Sequence, residues 1–327
     1  MSNAIIQRLA RYLSVDESRS GEAIGNELGC SRTAVWKHVE SLRSLGIQID
    51  AVAGKGYLLK QPLELLDSGL IISKLPTGLR GKLGRLQIES TLDSTNSALR
   101  RLDVEDQHAT VILAEYQSSG RGRRGRQWCS PFARNIYLSI GWKFENALSE
   151  LGCLSLVVAL ASAKALSRAG ARGHLVKWPN DLLVDGRKLC GCLVEVQGDS
   201  QGPCHAVLGV GINVHMPASE LTAAIDQPWT DLHSQLPAVS RNTLASLLLE
   251  ELMTGLELFA VQGFEPFKDY WEQMDGLMGQ HVEVLAGNGL LQGRAKGINE
   301  TGALLLDTGE EILSLYSGEV SLRKTKI

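Results

Sequence analysis

Between Gln117 and Trp128 the chain reads Gln-Ser-Ser-Gly-Arg-Gly-Arg-Arg-Gly-Arg-Gln-Trp, and residues 120–126 alone hold four arginines and three glycines. Interleaved in this way, the two residue types are suited to closing on an anion. Glycine accepts positive φ and lets the backbone approach a ligand, at an entropic cost that a plain connection has no reason to bear. Arginine offers a forked set of donors to phosphate or carboxylate and keeps its charge at any working pH. A solvated, disordered tail of the RG type has the same composition. The flanks argue against it, because Thr110-Val111-Ile112-Leu113-Ala114 and Asn135-Ile136-Tyr137-Leu138-Ser139-Ile140 both read as buried strands.

Three further segments carry residues of chemical use. Asp93-Ser94-Thr95-Asn96 stands between a strand and a helix, where such side chains cap the helix, their commoner use, or bond a ligand. Lys177-Trp178-Pro179-Asn180-Asp181 separates two apolar strands, and a mere turn has no need of the lysine and the tryptophan. Lys188 opens a buried strand that continues Leu189-Cys190-Gly191-Cys192-Leu193-Val194-Glu195. Either lysine alone is an ordinary surface charge, and it is their company with the arginine loop that matters. No histidine stands in a pattern with a nucleophilic serine or cysteine, so covalent enzyme catalysis is not indicated.

These segments need elements to position them, and the 327 residues, 44% hydrophobic, can bury a large core and form two or three domains. Residues 1–62 read as a winged helix-turn-helix. Apolar stripes at Ile5, Ile6, Leu9 and Leu13 and at Val35, Val39 and Leu42 mark helices, with Ser20 and Ser31 as N-caps. Arg32, Thr33, Trp36, Lys37 and His38 face away from the core, as a recognition helix in a major groove requires, and Lys55 sits at the tip of a two-stranded wing. A three-helix bundle without a ligand would share the apolar pattern. Gln61-Pro62 ends this unit, and a linker helix through Leu66 is expected after it. Residues 63–276 read as an α+β domain with a mixed sheet covered on one face, including a long helix over 148–169. Residues 277–327 read as a small SH3-like β-barrel of short alternating runs.

The formal net charge of −3 excludes a protein that coats nucleic acid over its whole surface, so any basic function is local. Leu151–Ala165 is the most apolar stretch, but Ser155, Ser162 and Lys164 interrupt it and no membrane span is expected. No signal peptide is read at the N-terminus. Six cysteines without Cys-x-x-Cys spacing point to reduced thiols in a cytoplasmic protein and away from zinc.

Taken together, the motifs resemble those of the biotin protein ligases, in the class that doubles as the biotin operon repressor. The resemblance covers nearly the whole chain. It rests on Ser94-Thr95-Asn96, the loop 120–126, Lys177-Trp178-Pro179-Asn180-Asp181, Lys188-x-x-Gly191, Gly209-Val210-Gly211-Ile212-Asn213 and Gly318-Glu319-Val320-Ser321-Leu322-Arg323, in the family order. Cys190 and Cys192 stand where a small or aliphatic residue is expected and should pack as small hydrophobes.

The resemblance implies two-step acyl transfer. Biotin and MgATP form biotinyl-5'-AMP and pyrophosphate, and a lysine of the biotin carboxyl carrier protein subunit of acetyl-CoA carboxylase then displaces AMP. It assigns Ser94, Thr95, Asn96, Gln117, Arg121, Gly122, Arg123 and Lys188 to biotin or its adenylate. Arg121, Trp128, Lys177, Asn180, Asn213 and Arg323 fall to the nucleotide, and Asp181 to Mg2+ through water. Arg123, Lys188 and Lys177 are the catalytic cations. It further implies a homodimer induced by biotinyl-5'-AMP that binds operator DNA of biotin synthesis genes, with no membrane partner. Two alternatives stay open. A lipoate-type ligase shares the chemistry but carries an Arg-Arg-x-Ser-Gly-Gly-Gly type signature, and a biotin-sensing repressor without catalysis has no need of Arg123, Lys177 and Lys188.

Overall fold

Ser20 and Ser31 do cap helices: their Oγ atoms accept from Ala23 N at 3.0 Å and Ala34 N at 3.3 Å. The computed structural model describes residues 3–198, 202–216, 222, 225–286, 289–316 and 321–324. The N-terminal unit holds α1 (Asn3–Tyr12), α2 (Gly21–Leu28), α3 (Arg32–Ser44) and the antiparallel pair β1 (Ile49–Val52) and β2 (Gly56–Leu59). Ile24, Leu28, Val35, Val39 and Leu42 form its core, which also takes in Phe132 and Ala133 from the strand-side end of the arginine loop. Opposite that core, Arg32, Thr33, Trp36 and Lys37 are exposed, Trp36 by 53%, while His38 is half-buried and Lys55 is exposed in the wing turn.

The expected linker helix through Leu66 is not formed. Residues 61–67 run without regular structure to α4 (Ser68–Lys74), which Asp67 caps by accepting from Leu70 N at 3.0 Å. The cause is long-range capture of the linker's polar groups, which outbids local helical bonds. Leu66 N donates to Glu115 at 2.6 Å, Asp67 N to Asn242 at 2.8 Å, and Glu64 O accepts from Arg241 at 2.6 Å. Burial alone would raise the Glu64 carboxyl, but bonds from Ser240, Arg241 and Asn242 hold it below its ordinary value.

The central unit follows as α5 (Thr77–Arg80), β3 (Arg85–Glu89), α6 (Thr95–Arg100), α7 (Val104–Gln107), β4 (Thr110–Ala114), β5 (Ile136–Phe144) and α8 (Leu154–Arg168). It continues with β6 (His174–Lys177), β7 (Asp181–Val184), β8 (Arg187–Gly198), β9 (Cys204–Ile212), α9 (Arg241–Gln262) and α10 (Lys268–Met274). Seven strands lie in the order β3-β4-β5-β9-β8-β7-β6, with β3 and β4 parallel and every other pair antiparallel, which is the mixed sheet expected. Val111 and Leu113 join the main core beneath α8 and α9, whereas Ile112 joins Leu99 of α6 on the other face, as the strand period requires. α6 covers that second face only in part, and there the site lies.

The helix expected over 148–169 is interrupted. A 3₁₀ turn at Leu148–Leu151 precedes α8, and between them a Cβ on Gly152 would stand 2.9 Å from Thr301 O, so the bend admits a turn of the C-terminal unit. By length and hydropathy 148–168 passes as a membrane span despite its polar residues, but two-thirds of it is buried in the core. The C-terminal unit is a five-stranded antiparallel sheet of β10 (His281–Ala286), β11 (Gly289–Ile298), β12 (Leu304–Asp307), β13 (Ile312–Leu315) and β14 (Ser321–Lys324), ordered β13-β12-β11-β10-β14. Val282, Val284, Leu304 and Leu306 share the central unit's core, and Trp178 Nε1 donates to Gly302 O at 2.8 Å. The motif residues Gly318-Glu319-Val320 lie outside the described residues.

Candidate active site

A bare patch on the sheet is the floor of the site. Gly191 of β8 is registered with Gly211 of β9, so both lack a side chain on one face, and Gly209 shares that face two positions along. Cys190, Cys192, Val210 and Ile212 alternate with them into the core, where the two cysteines pack as small hydrophobes. None of the six cysteines is in a disulfide. The Trp128 indole lies directly on the patch: a Cβ built on Gly211 would be 2.5 Å from its ring, and one on Gly191 2.9 Å. Its Nε1–H is enclosed without an acceptor among the described residues, which equips it to meet a polar ligand atom.

At one end of a cavity of about 890 Å³ is a recess of buried polar groups. Ser94 stands at the N-cap of α6 but makes no side-chain cap bond, so capping is not its use here. Thr95 N donates to Gln117 Oε1 at 2.9 Å, and Ser139 Oγ lies 2.7 Å from Thr95 Oγ1 and 2.6 Å from Asn96 Oδ1. Gln117 Nε2 then donates to Ser130 Oγ at 3.1 Å, and Ser130 Oγ to Trp128 O at 3.1 Å. This recess is neutral, closely satisfied and rigid, fit to orient an uncharged polar headgroup. Asp93, by contrast, is taken by both nitrogens of Arg101 at 2.7 and 2.9 Å, and these bonds bring its carboxyl down to about 2.

The opposite end is cationic. The arginine loop folds back as a tight hairpin, with Gly122 N bonded to Arg126 O and Trp128 N to Gly120 O at 2.7 and 2.8 Å. Arg123 is half-buried where the loop's other arginines are exposed, and it donates to Asn180 Oδ1 at 3.1 Å, while Asn180 Nδ2 donates to Cys192 O. Burial presses the Arg123 guanidinium below its ordinary value, Asp181 opposes this, and Arg124 and Arg126 add to it. It keeps its charge at any working pH.

Lys188 reaches the floor through a bulge. β7 and β8 slip register between Leu182↔Cys190 and Leu183↔Lys188, so Leu189 and Cys190 both enter the core and Lys188 turns to the glycine face. Its Nζ is 2.9 Å from Asp181 Oδ1 and 5.3 Å from the Trp128 ring centroid. The Asp181 contact is an ion pair without hydrogen-bond alignment. Lys177, Arg121 and Gly122 line the same cavity.

Of the expected site residues, Asn213 does not line the cavity. It is buried, and its Nδ2 donates to Lys188 O at 3.3 Å and Thr230 O at 3.0 Å, so it ties the Lys188 backbone to the 228–230 segment. Arg323 belongs to β14, registered with Glu283, and its side chain lies outside the described residues. Sequence reasoning missed Ser139 and Glu195. Ser139 had a signal, a hydroxyl inside the apolar run of β5. Glu195 had none, because its partners Asn96, Arg100 and Arg121 come from elsewhere in the chain. Among the described residues no group of three or more His, Cys, Asp or Glu stands together as a metal site.

Three sequence families match the chain: the biotin/lipoate A/B protein ligase family over residues 84–213, an HTH domain over 4–58 and the biotin protein ligase C-terminal domain over 277–323. The bifunctional ligase/repressor BirA of Escherichia coli K12 is 38% identical over 324 residues, covering 99% of each chain. Its namesake in Bacillus subtilis is 31% identical over 94% of each. Among solved structures, biotin protein ligase from Aquifex aeolicus in complex with biotin and ATP superimposes with a TM-score of 0.64 at 30% identity, covering 74% of this chain and 99% of that one.

Proposed function

The chain belongs to the biotin protein ligase family, among its bifunctional ligase/repressors, and we propose from this premise how its site works. The protein activates biotin with ATP and transfers it to a lysine of a biotin carboxyl carrier protein. With the adenylate bound, it represses genes of biotin synthesis. The observation that carries the catalytic reading is the polarity of one cavity, a neutral recess at Ser94, Thr95, Asn96 and Gln117 joined by a glycine floor to the cations Arg123, Lys177 and Lys188. A biotin headgroup fits the first end and its carboxylate reaches the second.

In the first step a carboxylate oxygen attacks the α-phosphorus and pyrophosphate leaves. Two anions must meet, so the cations lower the barrier by standing where charge gathers. Lys188 bonds the reacting oxygens, Arg123 clamps the carboxyl group, and Lys177 receives phosphate. Mg2+ would supply charge neutralisation for the leaving pyrophosphate. Asp181 is the neighbouring carboxylate that fits it through water. Asn180 acts through Arg123, and Trp128 swings from the glycine floor to cover the nucleotide. In the second step a carrier lysine attacks the acyl carbon and AMP leaves. Incubation with ATP and either biotin or lipoate, followed by mass spectrometry of the trapped adenylate, tests the reading. Biotinyl-AMP is expected, and lipoyl-AMP as the preferred product would overturn it.

Arg123→Gly should leave both substrates able to bind but release the mixed anhydride about tenfold faster or more, the loss of a charge-assisted bond. Bystander proteins then become labelled. An adenylate retained as long as in wild type, with only the carrier labelled, would remove Arg123 from this role.

For repression, Arg32, Thr33, Trp36, Lys37 and His38 read the major groove and Lys55 meets backbone phosphate at the wing. One such head has too little surface for tight binding, so a dimer on paired half-sites is required. Among the described residues β8 has a strand on one side only beyond Gly191, because β7 pairs with it only as far as that residue. Closure of the neighbouring loop completes this edge for pairing with a second copy. Sedimentation should show the mass doubling on addition of biotinyl-AMP, with palindromic operator binding that weakens steeply with salt. An unchanged mass would disconnect ligand from repression. Six cysteines outside any disulfide support a reducing, cytoplasmic setting.

A further inference from the structure

Glu195 follows Gly191 and Leu193 on the site face of β8, and its side chain is only 19% exposed. Its Oε1 takes Arg121 Nη2 at 3.1 Å and Arg100 Nη1 at 3.0 Å, and its Oε2 takes Asn96 Nδ2 at 2.8 Å. Strand β8 needs none of these bonds to form. The Asn96 bond has a consequence for the recess: with its NH₂ committed to Glu195, the amide turns Oδ1 to Ser139. From Ser139 the bonds already described pass through Thr95 and Gln117 to Ser130 and Trp128 O, at the far foot of the arginine loop. Arg121 is the near foot. Both feet of the loop are therefore fastened to one network, hydrogen bonds from Trp128 O through the recess to Glu195 and an ion pair from Glu195 to Arg121.

We propose that Glu195 is a positioning residue of the ligase reaction, anchoring Arg121 so that the arginine loop stays closed on the adenylate while orienting Asn96 in the recess. It touches no reacting atom. An isolated, exposed Arg–Glu pair contributes little, but this carboxylate is shielded and serves three donors from two separate segments, as a network must to matter. The inference rests on the adenylate reading above, and its bearing on loop closure is measurable apart from it.

The test compares wild type, Glu195→Gln and Arg100→Ala. Glutamine keeps the size of the side chain and an acceptor for Asn96 but removes the charge that holds Arg121. Arg100→Ala removes one of the two α6 partners of Glu195 and leaves the Asn96 bond. Three quantities are read: release of preformed biotinyl-AMP, tryptic cleavage after Arg121 to Arg126 with and without biotin and ATP, and equilibrium affinity for biotin. Glu195→Gln should release adenylate and suffer loop cleavage about tenfold faster, the loss of one charge-assisted bond. Its biotin affinity should stay within about twofold, and Arg100→Ala should match wild type. Glu195→Asp, which restores the charge at shorter reach, should recover part of the retention. The proposal is overturned if Glu195→Gln protects its loop as wild type does, if Arg100→Ala reproduces its effect, or if biotin affinity falls as far as retention. Should wild type form no adenylate, the functional reading fails, and digestion without substrates still decides whether Glu195 holds the loop.

Discussion

Lys188→Ala is expected to slow adenylate formation by about 10²- to 10³-fold, the range for removing one donor aimed at developing charge. The lysine is 15% exposed and reaches the glycine floor from a backbone pinned on both sides, its N to Pro228 O and its O from Thr230 N, each at 2.9 Å. A donor held this firmly spends little reorganisation when charge gathers on the reacting oxygens. The fall should appear in kcat, with KM for biotin little changed, because the neutral recess proposed for the headgroup is built from other residues. A competing account makes Lys188 only the neutraliser of Asp181, 2.9 Å away. The double variant Lys188→Ala/Asp181→Asn separates the two, since it removes the uncompensated carboxylate along with the amine. Single-turnover pyrophosphate release should stay slow in the double variant. Recovery to near wild type would reduce Lys188 to a counter-ion.

Arg241→Ala is expected to destabilise the fold by about 3–5 kcal/mol, the cost of leaving a buried charge without its partner. Arg241 and Glu115 side chains are 5% and 1% exposed and 2.7 Å apart. The guanidinium also donates to Asn135 O and Glu64 O, so one side chain joins the linker, the end of β4 and the start of β5. Without it Glu115 keeps Leu66 N but loses its counter-charge. Urea unfolding followed by tryptophan fluorescence should show the midpoint of the core transition falling sharply. Arg241→Met/Glu115→Gln should recover much of the loss, because it removes both charges together. A single variant within about 0.5 kcal/mol of wild type, the range of ordinary surface changes, would mean that solvent reaches the pair and that the linker is held by other bonds.

The candidate site residues were more legible than the bonds that hold them. Ser20 and Ser31 announced their helices because a cap bond spans three residues. Gly191, Gly209 and Gly211 were legible only as motif residues, and that they share one bare face opposite Cys190, Cys192, Val210 and Ile212 came from the register of β8 with β9. The arginine loop was visible because few structural connections need that composition. Ser94 was legible only by type, its freedom from capping being a matter of geometry.

What tertiary structure decided lies beyond that local reach. The sequence by itself determined the three-part order, the winged head and the cationic loop, all written in patterns that close within a turn or a strand. The structure decided that residues 61–67 form no helix, because Glu64 and Arg241, 177 positions apart, meet there and satisfy the linker's backbone. It decided that Lys188 faces the site: simple alternation places it with Cys190 on the core side, and a bulge set by pairing with β7 reverses it. It drew Asn213 into the support of Lys188, and gave Glu195 its partners from positions 96, 100 and 121. The physical reason is common to all of these. A bond between distant residues depends on strand register and on how loops close, and neither is stated by the residues that make it.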